Sequence, residues 1–222
     1  MTQRIEGDLN LGKLSTEKEI QSYQKMDAPD YMVAFSGLSK SYAIGIVDMV
    51  ESTKISAEMN EMAWCKYYEI FLNSMAKILP RFGGVVIKNQ GDSLLYYFPE
   101  SAKATKYGFM SCIECSLSLT EEHDVVCESL KKEGLPCLNY RVSADYGKVV
   151  IMQSSNSATP DLIGPPVNMC SKINHLAPNN GVVIGGDLYQ SIKEIKDYRY
   201  TQKKGVSIGF KYSYPVYEVK RQ

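Results

Sequence analysis

Polar positions dominate the first forty residues, where a short helical candidate at Ser15–Met26 is followed by the turn residues Pro29 and Gly37. From Tyr42 the texture changes. Tyr42-Ala-Ile-Gly-Ile-Val-Asp48 is a short apolar run ending on a carboxylate, the pattern of a buried strand. Met59, Ala63, Tyr67, Ile70, Phe71, Met75, Ile78 and Leu79 then recur at helical spacing, and Pro80 with Gly83-Gly84 stops that helix. Val85–Lys88 and Ser93–Phe98 are two strands around Asn89-Gln90-Gly91-Asp92, a hairpin turn signal. Helical stretches follow at about Ser101–Leu119 and Glu121–Glu133, the second ended by Gly134 and Pro136.

Arg141–Asp145 and Lys148–Met152 read as a further strand pair turning at Tyr146-Gly147. Pro165-Pro166 opens a short helix reaching Ala177-Pro178, since the first helical position tolerates proline. Val182–Ile184 is a strand, Leu188–Ile195 a helix, and Arg199–Val219 two closing strands. Strand–helix–strand–strand–helix–strand is the order of a ferredoxin-like α+β sandwich, here with additional C-terminal strands and a helix. This divides the 222 residues into an N-terminal arm or lead-in segment at 1–39 and one domain at 40–222.

Composition narrows the partners. Hydrophobic residues make up 44% and charged residues 23%, an ordinary globular balance that excludes disorder and a bare coiled coil. Lys plus Arg and Asp plus Glu both number 25, so there is no basic excess for a bulk nucleic-acid or anionic-membrane footprint. No apolar run approaches the ~20 residues that cross a bilayer. The start, MTQRIEGDLNLGKL, is too polar for a secretory signal, so the expected location is cytoplasmic. The six cysteines are scattered and read as reduced thiols in apolar surroundings. Cys112-Ile-Glu-Cys115 has metal or redox spacing, yet no second pair follows and only His123 and His175 could complete a site; the reading is core cysteines.

Two aspartates stand out by position: Asp48 closes the first strand and Asp92 follows the hairpin's Gly91. On neighbouring strands both would reach the same end of the sheet, where hard oxygen ligands suit Mg²⁺ or Mn²⁺ bridging phosphates. Taken alone, the same residues are also an ordinary strand end and an ordinary turn.

The surrounding pattern distinguishes these readings. Val47-Asp-Met-Val-Glu-Ser-Thr53 resembles the D-x-V-G-S/F-T segment of the class III nucleotidyl cyclases, the adenylate and guanylate cyclase family. Lys88-Asn-Gln-Gly-Asp92 with Leu94-Leu-Tyr-Tyr-Phe98 is similar to their K-x-x-G-D-x-x-x-x-x-F, and Val142–Val149 lies where the family has its strand–turn–strand. Asp161-Leu-Ile-Gly-Pro-Pro-Val-Asn168 resembles D-x-x-G-x-x-V-N, and Pro178–Ile184 with Tyr217-Glu-Val219 resemble the closing strands. The five pieces are collinear over residues 40–219.

The resemblance implies an adenylate cyclase that turns ATP into 3′,5′-cyclic AMP and pyrophosphate at a homodimer interface, with two Mg²⁺ or Mn²⁺ ions per site. By position, Asp48 and Asp92 match the metal-binding aspartates, with the Met49 carbonyl also facing the metals. Lys88 and Asp161 match the two residues that read the purine edge. A lysine only donates and suits adenine N1, while an aspartate accepts from the 6-amino group; guanine presents the opposite pattern. Asn168 matches the residue that positions the ribose. Four residues on, Lys172 stands where the family has an arginine that meets transition-state charge; lysine keeps the charge and loses the bidentate fork. A second cation toward the terminal phosphates is assigned to Lys211, with Lys204 as the alternative. The resemblance leaves other bases open, and also a nucleotide-binding dimerisation module without turnover. Gly185-Gly186-Asp187 mimics part of the diguanylate cyclase signature but lacks the second acid, and reads as a strand exit.

Overall fold

The structure is a computed structural model and describes residues 32–157, 159–203 and 214–222. Lys204, Lys211, the Ser15–Met26 candidate and most of the arm lie outside the described residues. The chain runs β1 (Val33–Met49), α1 (Ser52–Ala57), α2 (Glu61–Ile78), β2 (Val85–Gln90), β3 (Ser93–Phe98), α3 (Lys106–Glu121) and α4 (His123–Lys132). It continues through β4 (Tyr140–Ser154), β5 (Asp161–Ile163), α5 (Pro165–Asn174), β6 (Gly181–Gly185), α6 (Gly186–Ile192), β7 (Tyr198–Gln202) and β8 (Val216–Arg221).

Among the described residues these strands make one eight-stranded sheet of order β2-β3-β1-β4-β6-β8-β7, with β5 beside β4. The β2-β3-β1-β4 portion is the ferredoxin-like core expected from the element order, and β6 to β8 extend it. Tyr42–Val47 is buried on both sides because helices cover both faces of the sheet there, which is why it reads as an unbroken apolar run. Tyr67, Phe71 and Met75 of α2 and Cys112 and Ile113 of α3 pack on one face with Ala43, Val47 and Tyr96. On the other face Cys170 of α5 packs with Ile44, Ile46 and Leu95.

Three readings change. The strand pair expected around Tyr146-Gly147 is a single strand, because β1 reaches back to Val33 and offers β4 a partner along its whole length: Ala43 pairs Tyr146 and Tyr42 pairs Gly147. β5 is a three-residue edge strand, too short to show a period. Cys127 and Cys137 are joined as a disulfide, against the expectation that all six cysteines are reduced. Gly134, at φ +70°, reverses the chain after α4, with Leu135 N–H donating to Leu130 O at 2.9 Å, and this returns Cys137 alongside Cys127. Cys112, Cys115 and Cys170 are buried free thiols, as read. No helix among the described residues is long and apolar enough to cross a membrane.

Candidate active site

Asp48 lies at the end of β1, between Ser93 of β3 and Arg141 of β4 in the pairing register. Strand alternation puts it on the face of Ile44 and Ile46, while Val47 and Met49 point into the helical layer. Met49 is therefore buried by its side chain, and its N–H reaches Asp92 O at 3.4 Å. Gly91 at φ +62° supplies the left-handed turn residue that seats Asp92 beside the end of β1. Burial, and after it the charge of Asp92, push the Asp48 carboxyl up to about 6; Arg141 opposes them. Asp48 with Asp92 beside it forms an oxygen donor set whose repulsion a hard divalent cation would relieve.

Lys88 of β2 and Asp161 of β5 come together, the lysine Nζ donating to Asp161 Oδ2. Asp161 Oδ1 accepts from Leu162 N–H at 2.8 Å, so the carboxylate is aimed by its own backbone. Gly164 follows, where a Cβ would lie 2.5 Å from Lys148 O; only glycine lets the β5–α5 junction pass so close to β4. Asn168 and Lys172 sit one turn apart on α5, both exposed, and line an open groove of about 560 Å³ with Ile163, Met169 and Ser171. Neither Asp48 nor Asp92 lines that groove. One chain thus holds three pairs, Asp48 with Asp92, Lys88 with Asp161, and Asn168 with Lys172, and Asp48 shares its face of the sheet with α5.

Two residues escaped the sequence reading. Arg141, across from Asp48, donates to Asn179 Oδ1 at 3.3 Å, while its Nε is buried with no hydrogen-bond partner among the described residues. A lone cation heading an apolar strand beside the matched segment was the available signal. Asp145 is buried at 2% exposure in the middle of β4, and a charge inside a strand pattern was its signal.

The sequence pattern of the adenylate and guanylate cyclase catalytic domain family matches residues 38–220. An adenylate cyclase of Streptomyces coelicolor is 24% identical over 160 residues, 72% of this chain and 36% of that protein. A uridylate cyclase of Rhodovulum sp. is 23% identical over 139 residues, 58% of this chain and 55% of that protein. The chain thus spans about a third to a half of the length of these curated relatives. Among solved structures, the adenylyl cyclase CyaB from P. aeruginosa superposes with a TM-score of 0.75 at 19% identity, covering 83% of this chain and 96% of that one. The guanylyl cyclase Cya2 gives 0.69 at 19% identity, covering 82% and 93%.

Proposed function

Because this chain belongs to the adenylate and guanylate cyclase catalytic domain family, we propose that it converts ATP to 3′,5′-cyclic AMP and pyrophosphate as a homodimer. The observation that carries the reading is the pair Asp48 and Asp92, brought to one end of the sheet, where the charge of Asp92 helps to raise the Asp48 carboxyl. Two Mg²⁺ or Mn²⁺ ions held there would supply Lewis acidity toward the ribose 3′-hydroxyl and the phosphates. The carboxylates and the Met49 carbonyl would hold that charge in place. Arg141, across from Asp48 in the register and close enough for its charge to lower the Asp48 carboxyl, meets phosphate oxygens.

Lys88 donates to adenine N1 and Asp161 accepts from the 6-amino group. Their ion pair is partly exposed, with side chains 39% and 21% accessible, so exchanging it for two base contacts forgoes roughly 0–1 kcal/mol. Asn168 positions the ribose and Lys172, one turn on, places a positive charge against the phosphate where in-line attack builds negative charge. The α5 groove lacks the two aspartates, which supports a site completed by a second chain: one subunit brings Asp48 and Asp92, the other Lys88, Asp161, Asn168 and Lys172. Phe35, Leu38 and Ile163 are exposed apolar residues, and Leu38 with Tyr42, Val149 and Ile151 lines a small apolar hollow, a surface suited to a second copy. The catalytic domain is assigned to 40–222, with 1–39 as an arm.

The test is mass spectrometry of products after incubation with ATP, GTP, CTP and UTP plus Mn²⁺, beside an Asp48→Ala control. Cyclic AMP that disappears in the control supports the reading. Another cyclic nucleotide retains the metal site and overturns the roles of Lys88 and Asp161. Metal-dependent ATP binding without product makes the chain a nucleotide-binding dimerisation module.

A further inference from the structure

Away from that site, His123, Cys127 and Cys137 form a group among the described residues whose ligand atoms all lie within 4.8 Å of one another. His123 and Cys127 lie one turn apart on α4 and share a face. The Gly134 turn brings Cys137 to the same place, so that His123 Nε2 is 3.4 Å from Cys127 Sγ and 3.7 Å from Cys137 Sγ. Cys127 is buried and Cys137 is exposed. This is the division of labour in an exchanging thiol pair: an accessible sulfur meets the reagent, a sheltered one resolves it, and a base lies within reach of both.

The disulfide is also tied to the carboxylate site by a short run of backbone. Leu138 O lies 3.0 Å from His123 Nε2, a hydrogen bond made in the Nε2–H tautomer. The next carbonyl, Asn139 O, accepts from Val50 N–H at 2.8 Å, and Asn139 Oδ1 accepts from Asn180 Nδ2 at 2.7 Å. Val50 is two residues beyond Asp48, and Met49 pairs Tyr140 at the start of β4. The segment that begins at Cys137 therefore holds the turn that presents Asp48.

We propose that Cys127, Cys137 and His123 form a reversible thiol–disulfide site, with low-molecular-weight disulfides as its co-substrate, and that its redox state sets how firmly the Asp48 turn is held. In the forward direction the Cys137 thiolate attacks one sulfur of RSSR, forming a mixed disulfide and releasing one RS⁻. In the tautomer whose Nδ1–H donates to Asp124 Oδ1, His123 takes the Cys127 proton on Nε2, and the Cys127 thiolate attacks the Cys137 sulfur, releasing the second RS⁻. The two thiol protons end on the two released thiols, so two protein thiols plus RSSR become one protein disulfide plus 2 RSH. Oxidation closes the loop that pins Asn139 against Val50; reduction lengthens that tether. A disulfide and a His–Cys–Cys metal site exclude one another, because joined sulfurs offer no thiolate. The exchange itself is independent of the cyclase reading, and only its consequence for turnover rests on it.

The full chain is equilibrated in glutathione buffers graded from fully reduced to fully oxidised, trapped by alkylation and mapped by mass spectrometry. Cys127 and Cys137 should interconvert between dithiol and disulfide, and His123→Ala should slow exchange by about tenfold or more. A pair that stays in one state across the whole series overturns the proposal, as does one zinc ion retained per reduced chain. Calorimetric titration with Mn²⁺, using Asp48→Ala as background, should give about tenfold weaker binding in the dithiol form, the low end of what outer groups that orient metal ligands contribute. The Cys127→Ser/Cys137→Ser variant should match the dithiol form. Equal affinity in both states overturns the control of the turn. If exchange and Mn²⁺ binding behave as stated while neither state makes cyclic nucleotide, the switch stands and the cyclase reading fails.

Discussion

Replacing Asp145 by asparagine should stabilise the protein near neutral pH, and by an amount that vanishes in acid. The carboxylate sits at 2% exposure, where Oδ1 accepts from Tyr146 N–H at 2.9 Å and Leu188 N–H at 3.2 Å, and Oδ2 accepts from Tyr214 Oη–H at 2.8 Å. Burial outweighs these bonds and pushes its pKa from 3.8 up to about 6. Between those values the folded chain keeps a proton that the unfolded chain has released. The stabilising contribution of the protonated group is therefore complete below pH 3.8, is lost as pH rises through about 6, and changes no further above it. A shift of about two units corresponds to roughly 3 kcal/mol as an order of magnitude.

In Asp145→Asn the amide oxygen can still serve both N–H groups and the NH₂ can donate to Tyr214 Oη, as the protonated carboxyl does. The variant should thus gain about 3 kcal/mol at pH 7.5, or roughly 6–12 °C in Tm for a chain of this size, and gain nothing in acid below the unfolded pKa. Thermal melts followed by circular dichroism across pH 4–8 measure this. A variant less stable than the parent at pH 7.5, or a difference independent of pH, would show that the Asp145 charge is compensated and the reasoning wrong.

Lys172→Arg should raise kcat several-fold with little change in KM, because the guanidinium fork adds a second bond to the same charge; an unchanged rate would remove Lys172 from the phosphate. Lys88→Glu combined with Asp161→Asn presents the acceptor and donor that guanine requires, and the ratio of GTP to ATP turnover should rise by about tenfold or more in competition assays. Gly164→Ala drives a methyl to 2.5 Å from Lys148 O, and should cost about 1–3 kcal/mol in urea unfolding while displacing Asp161 and raising KM for nucleotide. An alanine variant with parental stability and KM would mean that the β5–α5 junction moves freely.

Local pattern determined much of this protein. The apolar run ending at Asp48, the 3.6-residue spacing of Tyr67, Phe71 and Met75, and the turn at Gly91-Asp92 are short-range consequences of burial and turn geometry, and they stand in the structure much as they read. The spacing of Asn168 and Lys172 likewise needs only a helix to put them on one face. What local pattern could not determine depends on a partner distant in sequence. Tyr146-Gly147 has turn chemistry, yet a strand a hundred residues earlier holds it extended. Cys127 and Cys137 carry no familiar spacing, and they meet because of the direction in which Gly134 sends the chain. Arg141 acquires meaning from the register that sets it across from Asp48, and Asp145 from the depth at which β4 is buried. Periodicity reports which face a residue occupies; which residue faces it across the sheet is decided only when loop closure and packing choose the register, and the electrostatics of the candidate site follow from that choice.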